Sequence, residues 1–274
     1  MKFSQIISIV VAIAAIALLY NLPKVVINKT DKDKLGETQS STNLPNGAAA
    51  KATAQISANT LISIQRLRNS FLNASDNKKR CTFADSLADL FISIQKMDSA
   101  AGYAEQLVLS NSDNNTRKTA GNIYFRLFSL ADEPTAANSF AAKAQAQFSI
   151  VLDTDPDNAE VKNNMAMTYV TSENPMKAIA LLREVIAKNP NDENAIFNLG
   201  FLSIQSGQYA KAVSRFDKLI QMNERNWKAH LYLGIAQQGL GKQEEAAKEF
   251  ELVAKKTKDQ NLKAQAEDLL GQKN

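Results

Sequence analysis

Two side chains in this sequence have the intrinsic reactivity for catalysis, and each is the only one of its kind: Cys81 and His230. A thiol that opens a helix after Asn77-Lys78-Lys79-Arg80 stands in the kind of basic environment that favours a nucleophilic thiolate, the alternative being a tolerated single thiol. A histidine can move a proton near neutral pH. Nucleophilic catalysis needs a base within hydrogen-bond reach of the nucleophile, and no second cysteine or histidine exists to partner either residue. One cysteine excludes an internal disulfide and a cysteine-clustered zinc site, and one histidine excludes a histidine-rich metal site. No nucleophile-elbow, phosphate-loop, dinucleotide or metalloprotease pattern occurs, so no enzyme activity, cofactor or metal is expected. The acidic residues fall at helix starts, such as Asp157 and Asp192, or on faces shared with lysine. Capping and solubility account for them there.

The elements that must carry these residues are helices. Glycine and proline number only 10 and 6 in 274 residues. Apolar residues recur at helical spacing, and nothing sustains the alternation of a half-buried strand. The net charge of +4 is small. Acidic and basic residues are interspersed, with no basic stripe among aromatics, so nucleic acid is not an expected partner.

Self-comparison gives a period of 34 residues. Ala166, Gly200 and Gly234 share it, as do Ala178, Ala212 and Ala246, then Leu182, Phe216 and Phe250, and the pair Pro156 and Pro190. Each period holds a turn: Ser172-Glu173-Asn174-Pro175, Ser206-Gly207-Gln208, and Gly239-Leu240-Gly241. Pro175 suits the first turn of a following helix, where its missing N–H is harmless. A mid-helix glycine costs about 1 kcal/mol relative to alanine, so Gly200 and Gly234 mark a crossing where two helices leave no room for a side chain.

The units 159–192, 193–226 and 227–260 resemble tetratricopeptide repeats. The family's leucine-glycine step matches Leu199-Gly200 and Leu233-Gly234, with Met165-Ala166 as a variant. Its tyrosine three places on survives only as Tyr169. Its early tryptophan is replaced by Lys162, Ile196 and His230, and its closing proline survives only as Pro190. The resemblance implies an all-α, right-handed superhelical solenoid of antiparallel helix pairs, non-catalytic, with a protein or peptide partner on its concave face. A looser fit covers residues 81–158, with a unit at 81–114 keyed by Ala88, Phe91 and Ala100 and a longer unit after it from Thr116; a helix at about 51–74 precedes both, within a divergent helical region 51–158. The longer unit extends either its helices or its internal loop. Residues 261–274 read as the polar-faced helix that caps such stacks.

By position in the repeat, the groove carries Asn163, Asn164, Met167 and Val170, then Phe197, Asn198, Phe201 and Ile204, then Leu231, Tyr232, Ile235 and Gln238. Asn163, Asn164, Met167, Phe197, Asn198, Phe201, Leu231 and Ile235 are the candidate binding residues. The alternative is that part of this apolar row packs against neighbouring helices. Asn164 and Asn198 resemble asparagines that hydrogen-bond the backbone of an extended peptide in some family members. The lysine and asparagine clamp of the chaperone-tail binders is absent, because Asn163 and Met167 stand at its positions. The same apolar face could instead mediate self-association into a homo-oligomer.

At the amino terminus, Phe3 to Leu22 is a run of 20 residues without charge, close to the roughly 20 needed to cross about 30 Å of hydrocarbon. Residues 1–23 are read as a single membrane span, with a cleaved signal segment as the alternative. The small residues Ala15 and Ala17 lie inside the run, and no cysteine follows it for lipid attachment. Residues 24–50 read as a flexible polar linker. Lys2 and the amino group before the run favour an exported domain, periplasmic in a bacterium. Lys24, Lys29, Lys32 and Lys34 after it argue the other way.

Overall fold

The structure, a computed structural model, describes residues 56–110, 113–170, 172 and 174–271. The expected membrane span 1–23 and linker 24–50 lie outside the described residues. Among the described residues, no helix is long and apolar enough to cross a membrane, and every regular element is a helix. In chain order these are α1 (Ala58–Leu72), α2 (Asn77–Ser93), α3 (Met97–Ser110), α4 (Asn114–Leu130), α5 (Pro134–Thr154) and α6 (Ala159–Thr168). There follow α7 (Pro175–Lys188), α8 (Glu193–Gln205), α9 (Tyr209–Met222), α10 (Trp227–Gly239), α11 (Gln243–Lys256) and α12 (Gln260–Gly271).

Local chemistry divides the helices into two kinds. The even-numbered helices α2 to α10 each begin at an acid or amide cap: Asp76, Asp113, Asn158, Asp192 and Asn226. Each cap accepts from the backbone N–H three residues on, at 2.8, 2.7, 3.0, 2.8 and 3.0 Å, which satisfies one of the otherwise unpaired amides of the first turn. The first cap of the repeated region is therefore Asn158, and not Asp157 as expected. Helix α1 has the same bond, from the Thr60 N–H to the Ser57 hydroxyl at 3.1 Å, whereas the second helices α5, α7, α9 and α11 lack it. Helices α5 and α7 open on Pro134 and Pro175, while α9 and α11 follow Gly207 and Gly241, whose φ of 69° and 77° is left-handed. In those two turns the N–H of Gln208 and of Lys242 closes back on Ser203 and Gln237 at 2.7 and 2.9 Å. Gln95 holds the same place between α2 and α3 with φ 58°, and Lys96 closes on Phe91 at 2.8 Å.

The helices form five pairs, α2–α3 through α10–α11, preceded by α1 and followed by α12. First helices of successive pairs pack on one another in one layer, from α2 through α10 to α12. Second helices do not pack together; each sits between its own first helix and the next one. The pair α2–α3 begins at Asn77, four residues before the expected unit 81–114. Cys81 is thus not at a helix start, because Asn77 to Arg80 already form the first turn of α2. In the longest pair, α4 and α5 run to 17 and 21 residues, so the extra length goes into the helices and not into the turn.

The seams of three pairs, α4–α5, α8–α9 and α10–α11, repeat one contact. A Cβ placed on Gly200 would lie 2.7 Å from the ring of Phe216, and one on Gly234 would lie 2.5 Å from that of Phe250. Gly121 faces Phe148 in the same way, also at 2.5 Å. The three rings are almost fully buried, each worth roughly 1.5–3 kcal/mol of hydrophobic stabilisation. In α6–α7 the equivalent pair is Ala166 and Leu182, both fully buried, a larger small residue under a smaller large one.

Two substitutions test these seams by urea unfolding followed by helical circular dichroism. Gly200→Ala should destabilise by about 1–3 kcal/mol through overpacking, against a propensity gain of about 1 kcal/mol. Gln95→Gly should stabilise by about 1 kcal/mol, because it relieves a left-handed backbone that costs side-chain-bearing residues about that much. A more stable Gly200→Ala, or a less stable Gln95→Gly, would show that the ring seat and the turn do not carry these energies.

Candidate functional site

Counting from the helix caps places the side chains of the first-helix layer. Six residues after caps Asn158, Asp192 and Asn226 stand Asn164, Asn198 and Tyr232, and nine after stand Met167, Phe201 and Ile235; all six are half-buried. Five residues after the caps stand Asn163, Phe197 and Leu231. Phe197 is half-buried, but Asn163 and Leu231 are only 3% and 1% exposed. These two expected groove residues are corrected to interior ones. The Asn163 amide donates to the Asp192 carboxylate at 3.0 Å, tying α6 to the cap of α8. Leu231 packs with Phe250, Val253 and Ala266, because α12 covers that side of α10. Val170, Ile204 and Gln238 are half-buried.

Between α8 and α10 the layer carries an aromatic cluster. Tyr232 meets Phe197 edge-on at 5.0 Å between ring centroids and Phe201 at 6.0 Å, within the range where edge-to-face packing is favourable. The Lys228 ammonium stands 4.2 Å from the centre of the Phe197 ring, and loss of surrounding water lowers its pKa. Burial pushes the Tyr232 phenol up. Among the described residues, the Asn198 amide makes no hydrogen bond, so its donors and acceptor are free for a ligand backbone.

Towards α2 the same layer turns polar. Lys118 pairs with Glu160 at 3.0 Å, Asn122 donates to Glu160 at 3.0 Å, and Asn164 donates to Asn122 at 3.0 Å. Burial pushes the Glu160 carboxyl up, but hydrogen bonds from Lys118 and Asn122 outweigh that and hold it low. Arg126 reaches Asp85 at 2.6 Å and Asp89 at 3.2 Å. Asp85, Lys118, Asn122, Arg126 and Glu160 line a cavity of about 350 Å³ between α2, α4 and α6. Reading the groove from residues 159–260 alone misses this half. The signal was available in the caps, since counting six and nine residues from Asp76 and Asp113 reaches Thr82, Asp85, Thr119 and Asn122.

The two reactive side chains are not brought together. Cys81, on α2, is 5% exposed, with its sulfur 3.8 Å from the Thr116 hydroxyl. His230, on α10, lies at the start of the last pair, where both ring nitrogens face acceptors: Nδ1 meets the Glu249 carboxylate at 2.6 Å, and Nε2 meets the Glu224 carbonyl at 3.1 Å. Only the doubly protonated ring donates to both. The Glu249 hydrogen bond raises its pKa against the opposing effect of burial, and the Glu224 carbonyl adds to the rise. His230 is therefore a packing residue whose site favours the protonated ring, matched in α6–α7 by Lys162, which bonds Glu184 at 2.5 Å. Among the described residues, no cluster of three metal-ligating side chains occurs. The layer can hold an extended chain by apolar contact and amide hydrogen bonds.

Comparison with known proteins agrees with this geometry. The family model described as tetratricopeptide repeat matches residues 136–199 and 203–266, so the match begins within α5, upstream of the three regular units. The BBSome complex member BBS4 homolog of Drosophila melanogaster is 28% identical over 103 residues, which is 38% of this chain and 21% of that protein. The human intraflagellar transport protein 88 homolog is 27% identical over 177 residues, 61% of this chain and 21% of that one. The chain thus spans about a fifth of the length of these relatives. A crystal structure of a tetratricopeptide repeat protein from Parabacteroides merdae superposes with a TM-score of 0.58 at 16% identity, covering 78% of this chain and 80% of that one. That likeness shows the fold.

The raised pKa of His230 has a defined sign. Folding favours the protonated ring, so its stabilisation is complete below the unfolded value of about 6.5 and is lost as pH rises through the higher folded value. Thermal unfolding of the full chain should fall in midpoint over that window. In His230→Leu the fall should be absent, and an unchanged pH profile in that variant would assign the titration elsewhere.

Proposed function

We propose that this chain, which carries tetratricopeptide repeats over 136–199 and 203–266, is a non-catalytic adaptor that holds a peptide or protein against its first-helix layer. The observation that carries this reading is the partly exposed cluster of Phe197, Phe201 and Tyr232 beside the unbonded amide of Asn198. Aromatic rings supply contact area at low entropic cost and recur as interface anchors. A free amide one turn away offers the paired donor and acceptor that an extended backbone needs. Asn164, Met167 and Ile235 continue the face on either side. The polar residues between α2 and α6 extend it, so the ligand lies along several units and meets aromatic surface at one end and charged groups at the other.

A second part of the proposal concerns place. The uncharged run Phe3–Leu22 supports a tether to a membrane, with residues 24–50 as the linker and the repeats on the exported side. The names of two relatives, one a BBSome complex member and one an intraflagellar transport protein, support work within protein assemblies over work on a small molecule.

In-cell photo-crosslinking from position 201, with identification of the captured protein, tests the binding face. Phe201→Glu should abolish binding of that protein while leaving the helical circular-dichroism signal intact. Binding that survives the charge would count against the face, and capture of only a second copy of the chain would replace the adaptor with a self-associating spacer. Deletion of residues 1–23 should move the protein out of the membrane fraction.

A further inference from the structure

Because second helices do not pack on one another, a cleft runs between each one and the next, floored by the first helix between them. Three of the four clefts hold opposite charges in pairs. Lys143 meets Glu105 at 2.7 Å between α3 and α5. Lys162 bonds Glu184, and Lys188 bonds Asp157 at 3.1 Å, between α5 and α7. His230 bonds Glu249 between α9 and α11. The cleft between α7 and α9 differs. Arg183, Arg215 and Lys218 line one cavity of about 310 Å³ there, and among the described residues none of the three has a carboxylate partner. Lys218 donates only to the Pro190 carbonyl, and Arg215 to the Ser203 hydroxyl and the Lys211 carbonyl.

The repeat shows how the counter-charge is missing. At a spacing of 34 residues, Lys218 stands where the preceding unit has Glu184. Arg215 stands where the following unit has Glu249, and Arg183 where it has Asp217. The buried basic residue of the flanking units, Lys162 or His230, is here Ile196. At these three registers a carboxylate next door is replaced by a cation in this cleft, and the register of Asp157 carries the neutral Asn191. The cost is visible, since desolvation and the charge of Arg183 both lower the Arg215 pKa. Like charges gathered in a partly desolvated cleft are unfavourable alone and become favourable when an anion enters. The floor is apolar, with Ile196 and Leu199 only 4% and 8% exposed, below the level of the cationic rim. A bare inorganic anion leaves that floor uncovered, and a flat headgroup surface does not reach it.

We propose that the cleft between α7 and α9 binds an acidic peptide segment, its carboxylates held by Arg183, Arg215 and Lys218 and an adjoining aliphatic side chain resting on Ile196 and Leu199. The site lies on the second-helix side of the stack, apart from the aromatic cluster of the first-helix layer, so the chain engages two segments at once.

Fluorescence anisotropy on the full chain tests this with a labelled peptide of alternating glutamate and leucine. The peptide should bind, and added salt should weaken it. Arg183→Gln, at an exposed position, should weaken it by roughly tenfold, while Lys188→Gln in the neighbouring cleft should leave it unchanged. Lys218→Glu restores the carboxylate of the preceding unit; it should abolish binding and raise the thermal midpoint, which also shows that the variant folds. Phe201→Glu should have no effect here, so this site and the first-helix face fail separately. Equal binding of a glutamine-leucine peptide, full displacement by inorganic phosphate, retention only on phosphatidylserine vesicles, or an unaffected Arg183→Gln would each overturn the proposal.

Discussion

The fold depends on the seating of a large ring against bare helix backbone. Where Phe148, Phe216 and Phe250 lie over Gly121, Gly200 and Gly234, no methyl group fits between ring and helix. The contact fixes how closely two helices of a pair approach and also their rotation about their own axes. Once a glycine faces its partner ring, residues on the opposite side of that helix point away from the pair. Phe201 follows Gly200 and Ile235 follows Gly234, so the seam determines which side chains reach the outer surface of the layer. The lost helix propensity of the glycines is small beside the burial of the rings they receive.

Much of this was legible in the sequence wherever the period is regular. The 34-residue interval located three helix pairs because each seam residue recurs there with the same kind of side chain. It did not locate Gly121, since Phe148 follows it by 27 residues where Phe216 follows Gly200 by 16; the added turns of α4 and α5 displace the ring without changing its seat. The candidate face was less legible, because adjacent residues on one helix can differ wholly in burial. Asn163 and Asn164 look alike in sequence, yet one is locked to the Asp192 cap and the other faces outward. Leu231 was hidden by α12, whose position depends on packing beyond the repeat. Charge was legible only in retrospect: the significance of Glu184, Lys218 and Glu249 emerges when equivalent positions are compared across clefts.

That comparison separates what the repeat holds constant from what it lets vary. Caps and seams are nearly invariant across the pairs, since changing either costs stability in that pair and its neighbour. The outer positions of the first helices pass from Asp85 and Asn122 to Phe201 and Ile235, and the clefts behind them pass from paired to unpaired charge. His230 and Lys162 show the same division at one buried position. Both are basic side chains where the related pattern has an aromatic ring, and each has its own carboxylate from the second helix. The scaffold accepts either solution because the requirement is a filled and electrically balanced site, whichever side chain supplies it.

Every helix packs only against the two elements before it and the two after it. Contacts of such short reach keep loop-closure entropy small. A chain leaving the ribosome therefore completes each pair soon after its second helix emerges, without waiting for distant sequence. The first pairs can be in place while the last are still being made. Gln95 then matters beyond its own turn, because its left-handed backbone closes the first of the described pairs, against which the next pair is laid down.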